Sequence, residues 1–290
     1  MGSEKKNKYL NGTSFRTALK DRVRRLWREQ GQEPEDTYKK LAFDRFLSRL
    51  DYNYWTLKGG FSLERRYLPA RKTQDIDLAA NDVSLLGRGQ DEQVIVILSK
   101  LRSEMVRDLH DYFTFDLEPI KPLDGFGKGG VRLQVIAKID DRVITTFEVD
   151  VVIQNKSELP RDTIKGSGLL SFADIETPVF LACTKEEIFA EKFHAYTRTY
   201  ETENTRVKDL ADMVKLSEDG LDTQRLTYAI KRVFTDRSTH SIPEQFPVPS
   251  VLWNTKYALL AQEYELSPDI EEATKHLKRL FRLISNDLKQ

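Results

Sequence analysis

Leu57-Lys58-Gly59-Gly60 and Asp75-Ile76-Asp77-Leu78 are the two stretches from which the fold is read. The Gly pair follows a short apolar run, Tyr54-Trp55-Thr56-Leu57, and precedes a helix-like segment, Phe61 to Leu68. A turn at Pro69 then leads to two aspartates separated by one apolar residue. Side chains alternate faces in a strand, so Asp75 and Asp77 point to one side, and Ile76 and Leu78 to the other. Two carboxylates at that spacing repel, and a sheet gains nothing from them unless a cation sits between them. Glycines ahead of a helix let backbone N–H groups approach a phosphate at its positive end. The spacing predicts a strand–Gly-Gly–helix–strand unit and a site for a metal-bound nucleoside triphosphate.

Upstream, the first dozen residues are polar and expected to be loose, and Met1-Gly2-Ser3 does not continue into a myristoylation motif because residue 6 is Lys. Ser14 is the expected cap of a helix from about Phe15 to Glu29, with Phe15, Leu19, Val23 and Leu26 buried. Arg16, Lys20, Arg24 and Arg28 form a basic stripe along it, either a solvated face or a surface for RNA or phosphate, and the basic face from Lys275 to Arg282 is a second candidate for an RNA backbone. A second helix is expected over Glu35 to Leu50. Downstream, Gln90 to Leu109 has helical periodicity and Asp111 to Glu118 alternates like a strand. Lys121 to Gly130 is Gly-rich and predicted to be a loop. Val131 to Ile139 and Val143 to Ile153 form a hairpin pattern about Asp140-Asp141.

A segment with strand character, Leu159 to Cys183, precedes a helical half. Thr184 and Glu187 make a capping-box pattern for a helix running to about Tyr200. Further helices are expected over Val207–Leu216, Thr223–Phe234, Val251–Glu263 and Pro268–Asp287, interrupted by the Pro-rich stretch from Pro243 to Pro249. The order implies an α+β chain with a catalytic lobe over 1–183 and a helical lobe over 184–290, the second completing an active-site cleft.

The composition excludes several classes. Lys plus Arg equals Asp plus Glu, 46 each, so no global positive field draws the chain to polyanions and any such binding is local. One cysteine, Cys183, excludes an internal disulfide and suits a cytoplasmic setting. The histidines His110, His194, His240 and His276 lack metal-ligand spacing, which argues against zinc. No apolar run reaches the roughly 18 to 20 residues of a membrane helix, and neither a secretory leader nor a membrane partner is expected.

Other residues extend the candidate site. In Phe147-Glu148-Val149-Asp150-Val151, the acids fall on the face opposite the apolar residues. Asp150 is then either an edge-strand acid in water, or a third metal ligand or base. Lys192 lies beside the apolar face of its helix, so its stem snorkels along the core or its ammonium meets a phosphate. Asp209, in a helix's first turn, is by itself an ordinary dipole-favouring acid. Thr73 shares the face of Asp75 and can bond a phosphate oxygen. Arg71 forms a structural salt bridge, pairs with Asp75 or meets the nucleotide.

Lys58-Gly59-Gly60 followed by Arg71-x-Thr73-x-Asp75-Ile76-Asp77-Leu78 resembles the first motif of AbiEii-type nucleotidyltransferase toxins, within the DNA-polymerase-β-like superfamily. Glu187-Ile188-Phe189-Ala190-Glu191-Lys192 and Arg206-Val207-Lys208-Asp209-Leu210 are similar to its later motifs, in order, and the resemblance spans roughly residues 54 to 217. It implies a nucleotidyltransferase-like mixed sheet with flanking helices, followed by a mostly α-helical C-terminal lobe. It also implies metal-dependent transfer of a nucleoside monophosphate from NTP to the tRNA 3′ end or another RNA, blocking translation, and a cognate antitoxin encoded nearby. By the resemblance Asp75, Asp77 and Asp150 hold the metal, and Lys192 and Asp209 complete the catalytic set. Lys58, Gly59, Gly60, Arg71, Thr73 and Lys208 line the nucleotide. Oxygen ligands and a phosphate substrate favour Mg²⁺, with Mn²⁺ as the alternative. Transfer to a small molecule or a protein hydroxyl, and a catalytically silent nucleotide- or RNA-binding module, are the competing readings. Phe61 and Glu64, on the glycine helix, have no inferred role.

Overall fold

The computed structural model describes residues 8–67, 69–124, 128–201 and 204–289. The predicted helix end at Leu68, the loop residues 125–127 and the first seven residues lie outside that set. Two compact units emerge. The first runs to Arg65 and adds Thr73–Ser157 and Asp162–Ala182; the second comprises Arg66–Lys72, Glu158–Arg161 and the chain from Cys183.

The first unit opens with α1 (Gly12–Gln30) and α2 (Pro34–Leu47). Asn11, not Ser14, caps α1. The Asn11 side chain accepts from the Ser14 N–H, and Ser14 sits three residues in and closes the reciprocal box. Its buried face is Phe15, Leu19, Val23 and Leu26, as the periodicity predicts. α2 stops at Leu47, because Ser48 to Leu50 tighten into a turn.

β1 (Trp55–Lys58) runs directly into α3 (Gly59–Arg66), and β2 (Asp75–Ala80) follows, antiparallel to β1. After α4 (Gln90–Met105) come β3 (Phe113–Pro122), β4 (Gly130–Ile139), β5 (Arg142–Ile153), β6 (Asp162–Lys165) and β7 (Val179–Ala182). They form one mixed sheet of order β3-β4-β5-β2-β1-β7-β6, with β2 parallel to β5 and β1 parallel to β7. The β4–β5 hairpin turns at Asp140 and Asp141, both with positive φ (55° and 56°), the conformation a two-residue turn matched to strand twist requires. β3 reaches into the stretch predicted as loop. Its inward alternation ends at Leu117, so the exposed remainder carries no burial pattern in the sequence.

Phe43 and Phe46 of α2 meet Phe147 of β5 edge-on, with centroids 4.7 and 5.8 Å apart. α2 therefore lies on the apolar face of β5, and the face bearing Glu148 and Asp150 is opposite. Arg45 and Arg49 of α2 are buried on Asp111, at 2.6 and 2.7 Å, which fastens the helix to the start of β3. A buried pair of this kind supplies specificity of placement more than net stability.

The second unit is helical: α5 (Lys185–Thr197), α6 (Val207–Glu218), α7 (Thr223–Arg237), α8 (Asn254–Tyr264) and α9 (Ile270–Lys289). Thr184 and Glu187 form the predicted capping box of α5. No described helix is long and apolar enough to cross a membrane.

Candidate active site

Three adjacent strands build a polar face. Lys58 lies opposite Asp77 across β1 and β2. Across the parallel pair β2–β5, Asp75 is in register with Glu148 and Asp77 with Asp150. Neighbouring strands stand about 4.8 Å apart, so four carboxylates share one patch of sheet. Ile76, Leu78, Val149 and Val151 carry the other face into the core and are fully buried. The edge-strand reading of Asp150 is overturned, because β5 lies between β4 and β2.

Arg132 of β4, directly opposite Asp150, grips it with two bonds of 2.7 Å and reaches Glu148 at 3.1 Å. Its charge also acts on Asp75. This guanidinium, which is not among the residues picked out in the sequence, offsets part of the repulsion among the acids.

The glycine turn is shaped by Asp77. Gly59 has φ +63°, and a Cβ there would stand 1.7 Å from Asp77 Oδ2, so only glycine lets the backbone come this close. Lys58, buried, donates to Gln154 Oε1 at 2.8 Å. Gly60 is the second residue of α3. The approach to β2 is fixed from behind: Glu64 accepts from the Thr73 N–H at 2.8 Å and pairs with Lys40 at 2.5 Å. Thr73 Oγ1 donates to Asp75 Oδ1 at 3.0 Å. Glu64 thus acquires a role that the sequence withheld, and Phe61 is a core residue packed edge-on against Phe43.

The helical unit gathers a second polar cluster. Lys192 of α5 bonds Asp212 at 2.6 Å and Asp209 at 3.2 Å, and Arg206 lies 3.5 Å from Asp209. Arg71 grips Asp212 through two bonds of 2.8 Å, and Tyr264 donates to the same carboxylate at 2.5 Å. The carboxylate that Arg71 meets is therefore Asp212. Burial would favour a neutral Asp212, but Lys192 and Arg71 outweigh it and hold its carboxyl below the usual range. Burial likewise works against the Lys192 ammonium, and Asp212 with Asp209 raises its pKa, so the group is a fixed cation and not a base. Asp212 is not among the residues picked out in the sequence, although an acid three residues after Asp209 on α6, beside Ala211 and Met213, is a signal that marks it. Lys208 is exposed in the first turn of α6.

Among the described residues, no three His, Cys, Asp or Glu side chains converge into a ready-made metal cage. Mg²⁺ does not need one, since it is commonly held by one or two carboxylates together with the substrate's phosphates. Asp75 and Asp77 on one strand face, bordered by the close backbone at Gly59, fit that mode.

Residues 44–286 match the family described as nucleotidyl transferase AbiEii toxin, type IV TA system. The match carries past the motif region into α7, α8 and most of α9. No curated protein matches the chain in sequence. Among solved structures it is similar to MenT4, a nucleotidyltransferase toxin from Mycobacterium tuberculosis H37Rv, with a TM-score of 0.53 at 16% identity over 94% of this chain and 98% of that one. JHP933 from Helicobacter pylori gives a TM-score of 0.46 at 16% identity, over 89% and 94% of the two chains. With the match covering most of its length, the chain belongs to the AbiEii family of nucleotidyltransferase toxins of type IV toxin–antitoxin systems.

Proposed function

We propose that this nucleotidyltransferase moves a nucleoside monophosphate from an NTP to an RNA acceptor, the tRNA 3′ end, and so blocks translation. The observation that carries the reading is the register of the sheet: Asp75 and Asp77 share a face, and Asp150 stands beside Asp77. Asp75 and Asp77 would hold a divalent ion, Mg²⁺ or Mn²⁺, together with the triphosphate, and Asp150 would serve as the third carboxylate. Such an ion would supply positive charge against the α-phosphate and the pyrophosphate that leaves. Arg132 keeps both Asp150 oxygens oriented, so that carboxylate needs no reorganisation during the reaction. The Gly59-Gly60 backbone, Lys58 and Thr73 line the triphosphate. In the helical unit Lys192 and Asp209 are the pair that the family resemblance adds to the catalytic set, and Asp209 fixes the Lys192 ammonium. Activity is held in check by a cognate antitoxin, in keeping with the family.

The test is transfer of each labelled NTP to total tRNA by wild type, Asp75→Ala and Asp77→Ala. Both variants are expected to lose at least a thousandfold in rate while keeping the wild-type circular dichroism spectrum and melting midpoint within a few degrees. Wild-type rates in either variant, or label that enters metabolites or protein and not tRNA, would overturn the reading.

A further inference from the structure

The basic stripe of α1 is not a solvated helix face alone; it forms one wall of a groove. Arg16, Lys20 and Arg24 of α1, with Tyr38 of α2 and Arg142 at the start of β5, line a cavity of about 610 Å³ in which Asp21 is the single acid. Among the described residues no carboxylate stands within salt-bridge distance of Lys20, Arg24 or Arg142, and Arg16 reaches Asp140 only at 4.0 Å. A chain with 46 basic and 46 acidic residues has acids enough to neutralise this wall and does not place them there. Like charges at i, i+4 weaken a helix, so the arrangement is a cost to α1.

The spacing indicates what offsets that cost. Residues four apart on a helix rise by about 6 Å, close to the distance between successive phosphates along a nucleic-acid strand. Arg16, Lys20 and Arg24 therefore present cations in step with a phosphodiester chain, and Tyr38 offers an aromatic ring of the sort on which bases stack without regard to sequence. A lone phosphate or a mononucleotide would use only one step of this ladder. Arg142 precedes Glu148 by six residues on β5, or about 20 Å of strand, so the groove is far from the carboxylate face by several nucleotide lengths.

We propose that the groove between α1, α2 and the start of β5 binds the phosphodiester backbone of a single-stranded segment of the RNA acceptor, away from the end that reacts. The proposal rests on the reading of the acceptor as RNA, but binding without NTP tests it independently of transfer. The probe is a fluorescein-labelled single-stranded RNA 20-mer, titrated by anisotropy across a salt series. The proteins are wild type, the triple variant Lys20→Gln/Arg24→Gln/Arg142→Gln, and a control of equal charge change on α9, Lys275→Gln/Lys278→Gln/Arg279→Gln.

The groove variant is expected to bind at least tenfold more weakly at low salt. Its plot of log affinity against log salt should flatten by about 2, since each phosphate contact on a single strand contributes about 0.7. The α9 control should stay within threefold of wild type. Near-wild-type affinity in the groove variant overturns the proposal, and so does an equal loss in both triples, which would indicate a diffuse field. Displacement of the RNA from wild type by polyglutamate as readily as by poly(U) also overturns it, in favour of an acidic protein partner. All three positions are exposed, and should the triple variant melt early, Arg142→Gln alone with a twofold to fivefold loss keeps the question open to refutation. Wild type that binds the RNA but never transfers to it would sink the proposed function and leave the groove standing.

Discussion

Gly59 shows how tightly one residue can condition a site. Its backbone occupies the space that any side chain would take from the Asp77 carboxylate, and its φ of +63° strains every other residue. Gly59→Ala is therefore expected to displace Asp77. Backbone strain alone costs about 1–2 kcal/mol, and steric conflict adds to it. Transfer should fall at least a hundredfold with a melting midpoint several degrees lower, measured by labelled-NTP transfer and calorimetry; wild-type turnover would show that Asp77 can be moved without consequence. At this scale the sequence was partly legible. Two aspartates on one face follow from alternation, and a Gly pair before a helix points to a close approach. What the sequence did not disclose is the counter-charge. Arg132 meets Asp150 across a hairpin, 18 residues away and past a bulge, and Asp212 meets Arg71 from 141 residues away, so neither pairing is written within one turn or one strand.

Elements were legible where an internal rule applied to them. The α5 capping box and the buried stripe of α1 depend on neighbours within one turn, and both appear as read. The pairing of β4 with β5 was also within reach. Both strands bury their odd-numbered residues, whereas a two-residue turn that pairs Ile139 with Arg142 sets odd against even. A bulge is required to reconcile them, and it occurs between Ala137 and Lys138. Counting the bulge places Arg132 opposite Asp150; ignoring it places Arg132 opposite Val149. The hold of α2 and α3 on the start of β2 was not legible, because Lys40–Glu64–Thr73 joins three elements through side chains. Glu64→Ala should leave the buried Thr73 N–H without its acceptor, at a cost of about 1–3 kcal/mol. Amide exchange at Thr73 should accelerate by tenfold or more while α4 keeps wild-type protection. Unchanged exchange at Thr73 would show that Glu64 does not hold the segment.

Across the whole molecule, the α+β order and the helical second half were legible from periodicity, but the membership of each unit was not. Arg66–Lys72 belongs with the helices, although it sits between α3 and β2 in sequence. Nothing in its composition says so; the hold of Arg71 on Asp212 does. Two buried groups, one in each unit, then set opposing responses to pH. His194 takes no solvent and has Arg237 against Nδ1 at 3.3 Å and Thr239 at Nε2 at 2.9 Å. Burial, with Arg237, His240 and Arg198 beside it and only Glu191 opposing, lowers its pKa from 6.5 to about 3. The unfolded chain therefore binds this proton first, so the contribution is complete above about pH 6.5 and is lost as pH falls. Asp44 is raised from 3.8 to about 6 by burial, against the pull of Arg65 and the Ser167 N–H. Here the folded chain binds the proton first, so stability is gained as pH falls through 6 and lost as it rises. Between pH 7 and 5 the first effect removes about 2 kcal/mol and the second returns about 1 kcal/mol, while acids held low, such as Asp111 and Asp212, contribute only under more acidic conditions. Wild type should lose only a few degrees in melting midpoint over that interval. Asp44→Asn should steepen the loss, and His194→Gln should flatten it, leaving only the smaller contribution of His240, whose pKa is also lowered by burial. Parallel profiles for wild type and both variants, followed by calorimetry at half-unit steps, would show that neither buried group carries the response.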